Sequence, residues 1–131
     1  MASDGVPADQ SIRRTVVVAD DDPGVREALA DLLSGDDRLE VVAVAGDGIE
    51  AVATCLEHRP DVLVLDVHMP QGGGEHAARE LTRLQPGLVI IAFSANVDRV
   101  TRRTMLEAGA AAVVAKDAIA GLVELVAGEA T

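Results

Sequence analysis

The sequence predicts an α/β fold in which one five-stranded parallel sheet is covered by helices on both faces. Short runs rich in Val, Ile and Leu alternate with longer segments whose apolar residues recur at helical spacing. The runs are apolar almost throughout rather than at every second position, as expected of strands buried on both faces. Five demanding polar residues, Asp20, Asp21, Asp66, Ser94 and Lys116, stand at or just after the carboxyl ends of four of these runs. Open α/β sheets place their ligand sites along that edge.

Residues 1–13 are polar and aperiodic, with Gly5 and Pro7, and are expected to form a flexible tail. The first strand is Thr15–Ala19. Asp22-Pro23 then opens a helix, with Asp as the cap and Pro in the first turn, and Val25, Leu29, Leu32 and Leu33 as its inner stripe. Leu39–Ala45 is the second strand. Asp47 caps a second helix carrying Ile49, Val52, Ala53 and Leu56 inward. After Pro60 the third strand runs over Val62–Leu65. The Gly72-Gly73-Gly74 stretch reads as a mobile loop over 71–74, because glycine loses most freedom on ordering, and a helix follows over about 75–84. Pro86-Gly87 turns the chain into a fourth strand, Leu88–Phe93. Val97–Ala108 is the fourth helix, stopped by Gly109, and Ala112–Ala115 is the fifth strand. Ile119, Leu122, Val123 and Val126 fall at i, i+3, i+4 and i+7 and give the last helix. The ordered domain is therefore 14–127, with a short tail at 128–131.

At 131 residues and 49% hydrophobic content this is one domain with an ample core. Phe93 is its single aromatic residue, so the core is aliphatic. A formal net charge of −11 argues against direct binding of nucleic acid or an anionic membrane. Cys55, the lone cysteine, reads as a small buried hydrophobe. No run approaches the roughly 18 apolar residues of a membrane span, and no leader opens the sequence, so the expected location is cytoplasmic. His58 and His76 are expected on exposed helical faces. Arg99, Arg102 and Arg103 form a basic face on the fourth helix, either solvated or a surface for a partner.

The chemistry follows from charge. Two ionised carboxylates about 4 Å apart repel by roughly 4 kcal/mol at an effective dielectric near 20. Three gathered at one edge need a cation or raised pKa values. A hard divalent ion with oxygen ligands suits Asp20, Asp21 and Asp66, and Mg2+ most of all, since it accepts few protein ligands and keeps its waters. Lys116 adds a fixed positive charge and Ser94 a hydroxyl donor. Metal, ammonium and hydroxyl together meet the needs of a phosphoryl group, which one carboxylate can hold covalently.

These residues resemble the receiver domains of two-component response regulators. The carrying motifs are Val18-Ala19-Asp20-Asp21-Asp22-Pro23, Asp61-Val62-Leu63-Val64-Leu65-Asp66-Val67-His68-Met69-Pro70, Phe93-Ser94-Ala95, and Ala108-Gly109-Ala110 leading to Ala115-Lys116-Asp117. The resemblance implies a flavodoxin-like (CheY-like) fold with strand order 2-1-3-4-5. It implies that Asp66 is the phosphoacceptor, that Asp21 is the direct Mg2+ ligand with Asp20 acting mainly through water, and that the backbone carbonyl of His68 is a further ligand. Pro23 fixes the register of the three aspartates and leaves Asp22 as the helix cap. Ser94 and Lys116 would hold phosphoryl oxygens, with small Ala95 leaving room for the donor histidine, and His68 and Asn96 would tune phosphoryl lifetime. The implied partner is a sensor histidine kinase. The implied signalling surface is the fourth helix, fifth strand and fifth helix, which with the first-and-fifth-helix face is also a possible homodimer surface.

Lys116-Asp117 resembles the NarL/LuxR class, whose receivers usually precede a DNA-binding output domain. The sequence contains no such output domain, which fits both a stand-alone receiver and a fragment of a DNA-binding regulator, with an output or effector protein as a possible further partner. Val113 occupies the position where many receivers carry a switch Tyr or Phe, and valine is stiff at χ1. The expectation is that switching at Ser94 and Val113 proceeds through backbone movement of the fourth helix. Two rival readings stay open. One is a pseudo-receiver that binds partners without phosphorylation. The other is a haloacid-dehalogenase-like phosphohydrolase, which would need an aspartate where His68 stands.

Overall fold

Strand and helix alternate without exception through the computed structural model, which describes residues 13–70 and 73–128. The elements are β1 (Arg14–Ala19), α1 (Pro23–Ser34), β2 (Leu39–Ala45), α2 (Gly48–His58), β3 (Val62–Asp66), α3 (Gly73–Leu84), β4 (Val89–Ser94), α4 (Arg99–Glu107), β5 (Ala112–Ala115) and α5 (Leu122–Ala127), the last preceded by a 3₁₀ turn over Ile119–Gly121. All four strand pairings are parallel and the sheet order is β2-β1-β3-β4-β5, as expected. The tails expected at 1–13 and 128–131 lie outside the described residues, except Arg13 and Gly128.

Successive strand residues point to opposite faces and so build two cores. Val16, Val18, Val62, Val64, Ile91 and Phe93 pack with Leu29 and Leu33 of α1 and Leu122 and Val126 of α5. Val17, Ala19, Leu63, Leu65, Ile90 and Ala92 pack with Ala51 and Cys55 of α2, Ala77, Ala78 and Leu81 of α3, and Met105 of α4. Each fully buried Leu or Ile contributes roughly 1.5–3 kcal/mol, so both layers hold the sheet edge that carries the polar residues.

Several sequence expectations need correction. The inner stripe of α2 is Gly48, Ala51 and Cys55, whereas Ile49 is 62% exposed, Leu56 40% exposed, and Ala53 also faces outward. Small residues let α2 approach the sheet closely, which rotates the larger apolar residues to the flanks. Leu32 and Ile119 are likewise exposed, and the 3₁₀ turn containing Ile119 displaces it from the stripe of α5. Helix α4 starts at Arg99 rather than Val97, because extended Asp98 caps it, accepting a hydrogen bond from the Thr101 N–H at 2.7 Å.

Helix α3 starts at Gly73, so Gly73 and Gly74 are helical rather than part of a loop; Gln71 and Gly72 lie outside the described residues. Gly74 is buried, its N–H bonds the Val67 carbonyl at 3.0 Å, and a Cβ there would come within 2.5 Å of the Asp66 carbonyl oxygen. Only a residue without a side chain lets α3 dock this tightly on the end of β3.

Candidate functional site

Sheet register, not chain proximity, gathers the site. Ala19 of β1 lies beside Leu65 of β3, so the next residues, Asp20 and Asp66, sit side by side. Ser94, the last residue of β4, pairs with Ala115, which places Lys116 just beyond. The Asp20 N–H extends the ladder by bonding the Ala45 carbonyl at 3.0 Å, and Val67 does the same to the Phe93 carbonyl at 3.0 Å. The strand ends are thus fixed by backbone hydrogen bonds for one residue beyond the sheet.

Asp20, Asp66 and Ser94 are the buried polar residues of this edge, whereas Asp21 is exposed. Each of the three aspartates offers a carboxylate oxygen, and these oxygens all lie within 4.8 Å of one another. The Lys116 ammonium sits between two of them, 3.3 Å from Asp20 Oδ2 and 3.5 Å from Asp66 Oδ2. Asp66 Oδ1 accepts a bond from the His68 N–H at 3.2 Å. Asp20 Oδ1 accepts one from the Asp22 N–H at 2.8 Å. Asp22 itself caps α1, accepting from Gly24 at 2.9 Å and Val25 at 3.3 Å. Its carboxylate is therefore committed to the helix.

Burial, reinforced by the charge of Asp20, pushes the Asp66 carboxyl up to about 6, against the pull of the His68 hydrogen bond and the Lys116 charge. For Lys116, burial disfavours the ammonium, but the charges of Asp66 and Asp20 outweigh it and raise the pKa. One cation among three carboxylates leaves the cluster short of positive charge. Asp20 Oδ2 is buried and, although Lys116 is near, makes no hydrogen bond among the described residues. A buried carboxylate oxygen without a hydrogen bond beside two further carboxylates fits a hard divalent cation with oxygen ligands.

Ser94 is brought to the same edge, but its hydroxyl is engaged elsewhere. Oγ donates to the Asn96 carbonyl at 3.1 Å and accepts from the Asn96 N–H at 3.2 Å. Ala95 and Asn96 are exposed beside it, and His68 is exposed beside Asp66. Val113 is buried within β5 opposite Ala92, packed in the α2–α3–α4 layer.

Three contributors were not singled out from the sequence. The Phe93 ring lies under the Lys116 ammonium, 5.1 Å from centroid to Nζ. Its signal is period two: Phe93 pairs with Val114, and Lys116 lies two residues beyond Val114 on the same face. Gly74 braces the Asp66 backbone, as described above. Arg26 donates from Nη1 to the Asp20 carbonyl at 2.9 Å. No sequence pattern marks either of the last two.

Comparison with known proteins agrees with this fold. The sequence profile of the response regulator receiver domain matches residues 16–127. The chain is 40% identical over 111 residues to the transcriptional regulatory protein PdtaR of Mycobacterium tuberculosis, covering 83% of this chain and 52% of that protein. It is 40% identical over 105 residues to a protein-glutamate methylesterase/protein-glutamine glutaminase of Nitrosospira multiformis, covering 79% of this chain and 30% of that one. The chain thus spans about half of the first relative and under a third of the second. Among solved structures it superposes on the signal receiver domain of the putative response regulator NarL from M. tuberculosis with TM-score 0.81 at 29% identity, covering 88% of this chain and 98% of that one. It superposes on the response regulator domain of Thermotoga maritima CheB with TM-score 0.83 at 26% identity, covering 89% and 96%.

Proposed function

The chain belongs to the response regulator receiver domain family, and on that premise we propose that it accepts a phosphoryl group on Asp66 from the phosphohistidine of a sensor kinase. The observation that carries this is the Asp20–Asp66–Lys116 cluster, with Asp21 completing a set of three carboxylates. In the transfer the N–P bond of the donor imidazole breaks and an O–P bond to an Asp66 carboxylate oxygen forms. With a pKa near 6, Asp66 is largely ionised at neutral pH and available as the nucleophile. The Lys116 ammonium, already 3.5 Å from Asp66 Oδ2, balances charge on the phosphoryl oxygens. Small, exposed Ala95 leaves the donor room to approach.

Asp20, Asp21 and Asp66, with the His68 backbone carbonyl, would hold Mg2+. When bound, that ion neutralises phosphoryl charge during transfer and hydrolysis. His68 and Asn96, each exposed and two residues beyond Asp66 and Ser94 respectively, would govern how water reaches the aspartyl phosphate.

The signal leaves the site through Ser94. For Oγ to reach a phosphoryl oxygen it must give up both bonds to Asn96. Those bonds tie the hydroxyl to the segment leading into α4, so turning Ser94 frees the backbone ahead of the Asp98 cap. Val113 offers no ring to follow the movement, and the change is carried by α4 itself toward the α4-β5-α5 surface. The output is regulation of a partner or of an attached effector domain, in keeping with the similarity to the transcriptional regulatory protein PdtaR.

The test is incubation with Mg2+ and acetyl phosphate, read by intact mass for the parent and for Asp66→Asn. A phosphoryl adduct on the parent alone is expected. No adduct on the parent favours a phosphorylation-independent receiver, and adducts on both proteins place the acceptor elsewhere.

A further inference from the structure

We infer that Arg26 is a positioning residue for divalent-cation binding, holding the peptide between Asp20 and Asp21 in the orientation that aims Asp21 into the site. The inference rests on the metal-dependent reading above and adds to it a residue outside the carboxylate set. Asp20 is pinned at nearly every polar atom: its N–H to Ala45, its Oδ1 by Asp22, and its carbonyl by Arg26 Nη1 at 2.9 Å. Among the described residues only Oδ2 is left without a hydrogen bond, and it lies near Lys116 and Asp66.

Asp21 is different. It is exposed, and among the described residues no hydrogen bond reaches its carboxylate. Its direction therefore depends on its backbone. The Asp20 carbonyl and the Asp21 N–H belong to one planar peptide unit, so a bond that fixes the carbonyl fixes the plane from which the Asp21 side chain departs. Arg26 supplies that bond from α1, six residues along.

The guanidinium in turn has a prepared seat. It lies against Gly46, where a Cβ would stand only 3.0 Å from Nη1. Gly46 is itself held by its own N–H, which donates to Glu50 Oε1 at 2.5 Å in the first turn of α2. A cation placed behind the carbonyl, rather than against a carboxylate, orients the acidic loop without occupying its charge. Partners that orient metal ligands from behind typically change metal affinity by about 10- to 100-fold when removed.

The experiment is an Mg2+ titration of parent, Arg26→Gln, Gly46→Ala and the double variant, followed by amide chemical shifts and by calorimetry, with urea midpoints recorded alongside. Arg26→Gln is expected to weaken Mg2+ binding by about tenfold and to move the Asp21 amide resonance before any metal is added. Gly46→Ala, which leaves Arg26 in place but crowds it, is expected to weaken binding less in the parent and to add nothing in the Arg26→Gln background. Should Arg26→Gln fail to fold, the single Gly46→Ala variant still decides. Unchanged affinity and an unmoved Asp21 amide in whichever variant folds overturn the inference, as does a Gly46→Ala effect of equal size in both backgrounds. A parent that binds no Mg2+ overturns the metal-dependent reading itself, and this inference with it.

Discussion

Replacing Asp66 with asparagine is expected to stabilise the fold in metal-free buffer at pH 7.5. The Asp66 carboxyl is raised from 3.8 to about 6, chiefly by burial and by the neighbouring Asp20 charge. Two pKa units at 1.36 kcal/mol each amount to about 3 kcal/mol of unfavourable free energy whenever Asp66 is ionised in the folded protein. An asparagine side chain would remove that charge, keep an oxygen for the His68 N–H, and leave Lys116 its contact with Asp20. That figure already includes the Lys116 attraction; the buried amide NH2 that replaces the second carboxylate oxygen costs about 1 kcal/mol, so the expected net is roughly 2 kcal/mol. Urea unfolding followed by far-ultraviolet circular dichroism reads this as a midpoint shift of about 1 M, given slopes of roughly 1–3 kcal/mol per molar for small domains.

The pH dependence fixes the cause. An acid whose folded pKa lies above its unfolded value binds its proton more tightly in the folded state, so its destabilising effect is complete above pH 6 and disappears as pH falls through 6 toward 3.8. The advantage of Asp66→Asn should therefore fade across that window, and millimolar Mg2+ should narrow it at pH 7.5 by stabilising the parent. An asparagine variant no more stable than the parent at pH 7.5, or an advantage independent of pH, would refute the reasoning.

Gly74→Ala should displace the end of β3, because a Cβ would fall 2.5 Å from the Asp66 carbonyl; loss of acetyl-phosphate labelling together with a lowered urea midpoint is the expected pair of results. Gly109→Ala should destabilise the fold by about 2 kcal/mol, since Gly109 has φ +113° and a Cβ would collide with the Thr82 side chain; thermal unfolding measures it. Cys55 is buried and burial pushes its thiol up to about 12, so iodoacetamide at pH 8 should label it only as fast as the fold opens, and labelling of native protein at the rate of a free thiol would contradict its placement.

Strand position was legible along the chain because buried parallel strands are apolar throughout and their ends are marked by polar residues. Helix caps at Asp22 and Asp47 were legible too, since Pro23 and the apolar periods that follow fix them. The cap at Asp98 escaped notice because apolar Val97 precedes it and blurs the helix start. Gly73 and Gly74 were misread because a glycine triplet looks the same whether it serves freedom or close approach, and only the position of the β3 end distinguishes the two. The facing of Ile49, Ala53 and Leu56 was misread because helical period fixes a stripe's width but not its rotation, which α2 sets by docking its small residues on the sheet.

The sequence by itself determined the architecture and the chemical inventory: five βα units, three carboxylates, a hydroxyl and an ammonium at the carboxyl edge. Those follow from local pattern and residue chemistry, which depend on near neighbours. Tertiary structure alone decided how the inventory is poised. It set Lys116 between Asp20 and Asp66 and over Phe93, turned the Ser94 hydroxyl toward Asn96, and seated Arg26 behind the Asp20 carbonyl. Each of these depends on strand register, loop course or helix packing that brings separate elements within a few ångströms, and no run of adjacent residues encodes a distance of that kind.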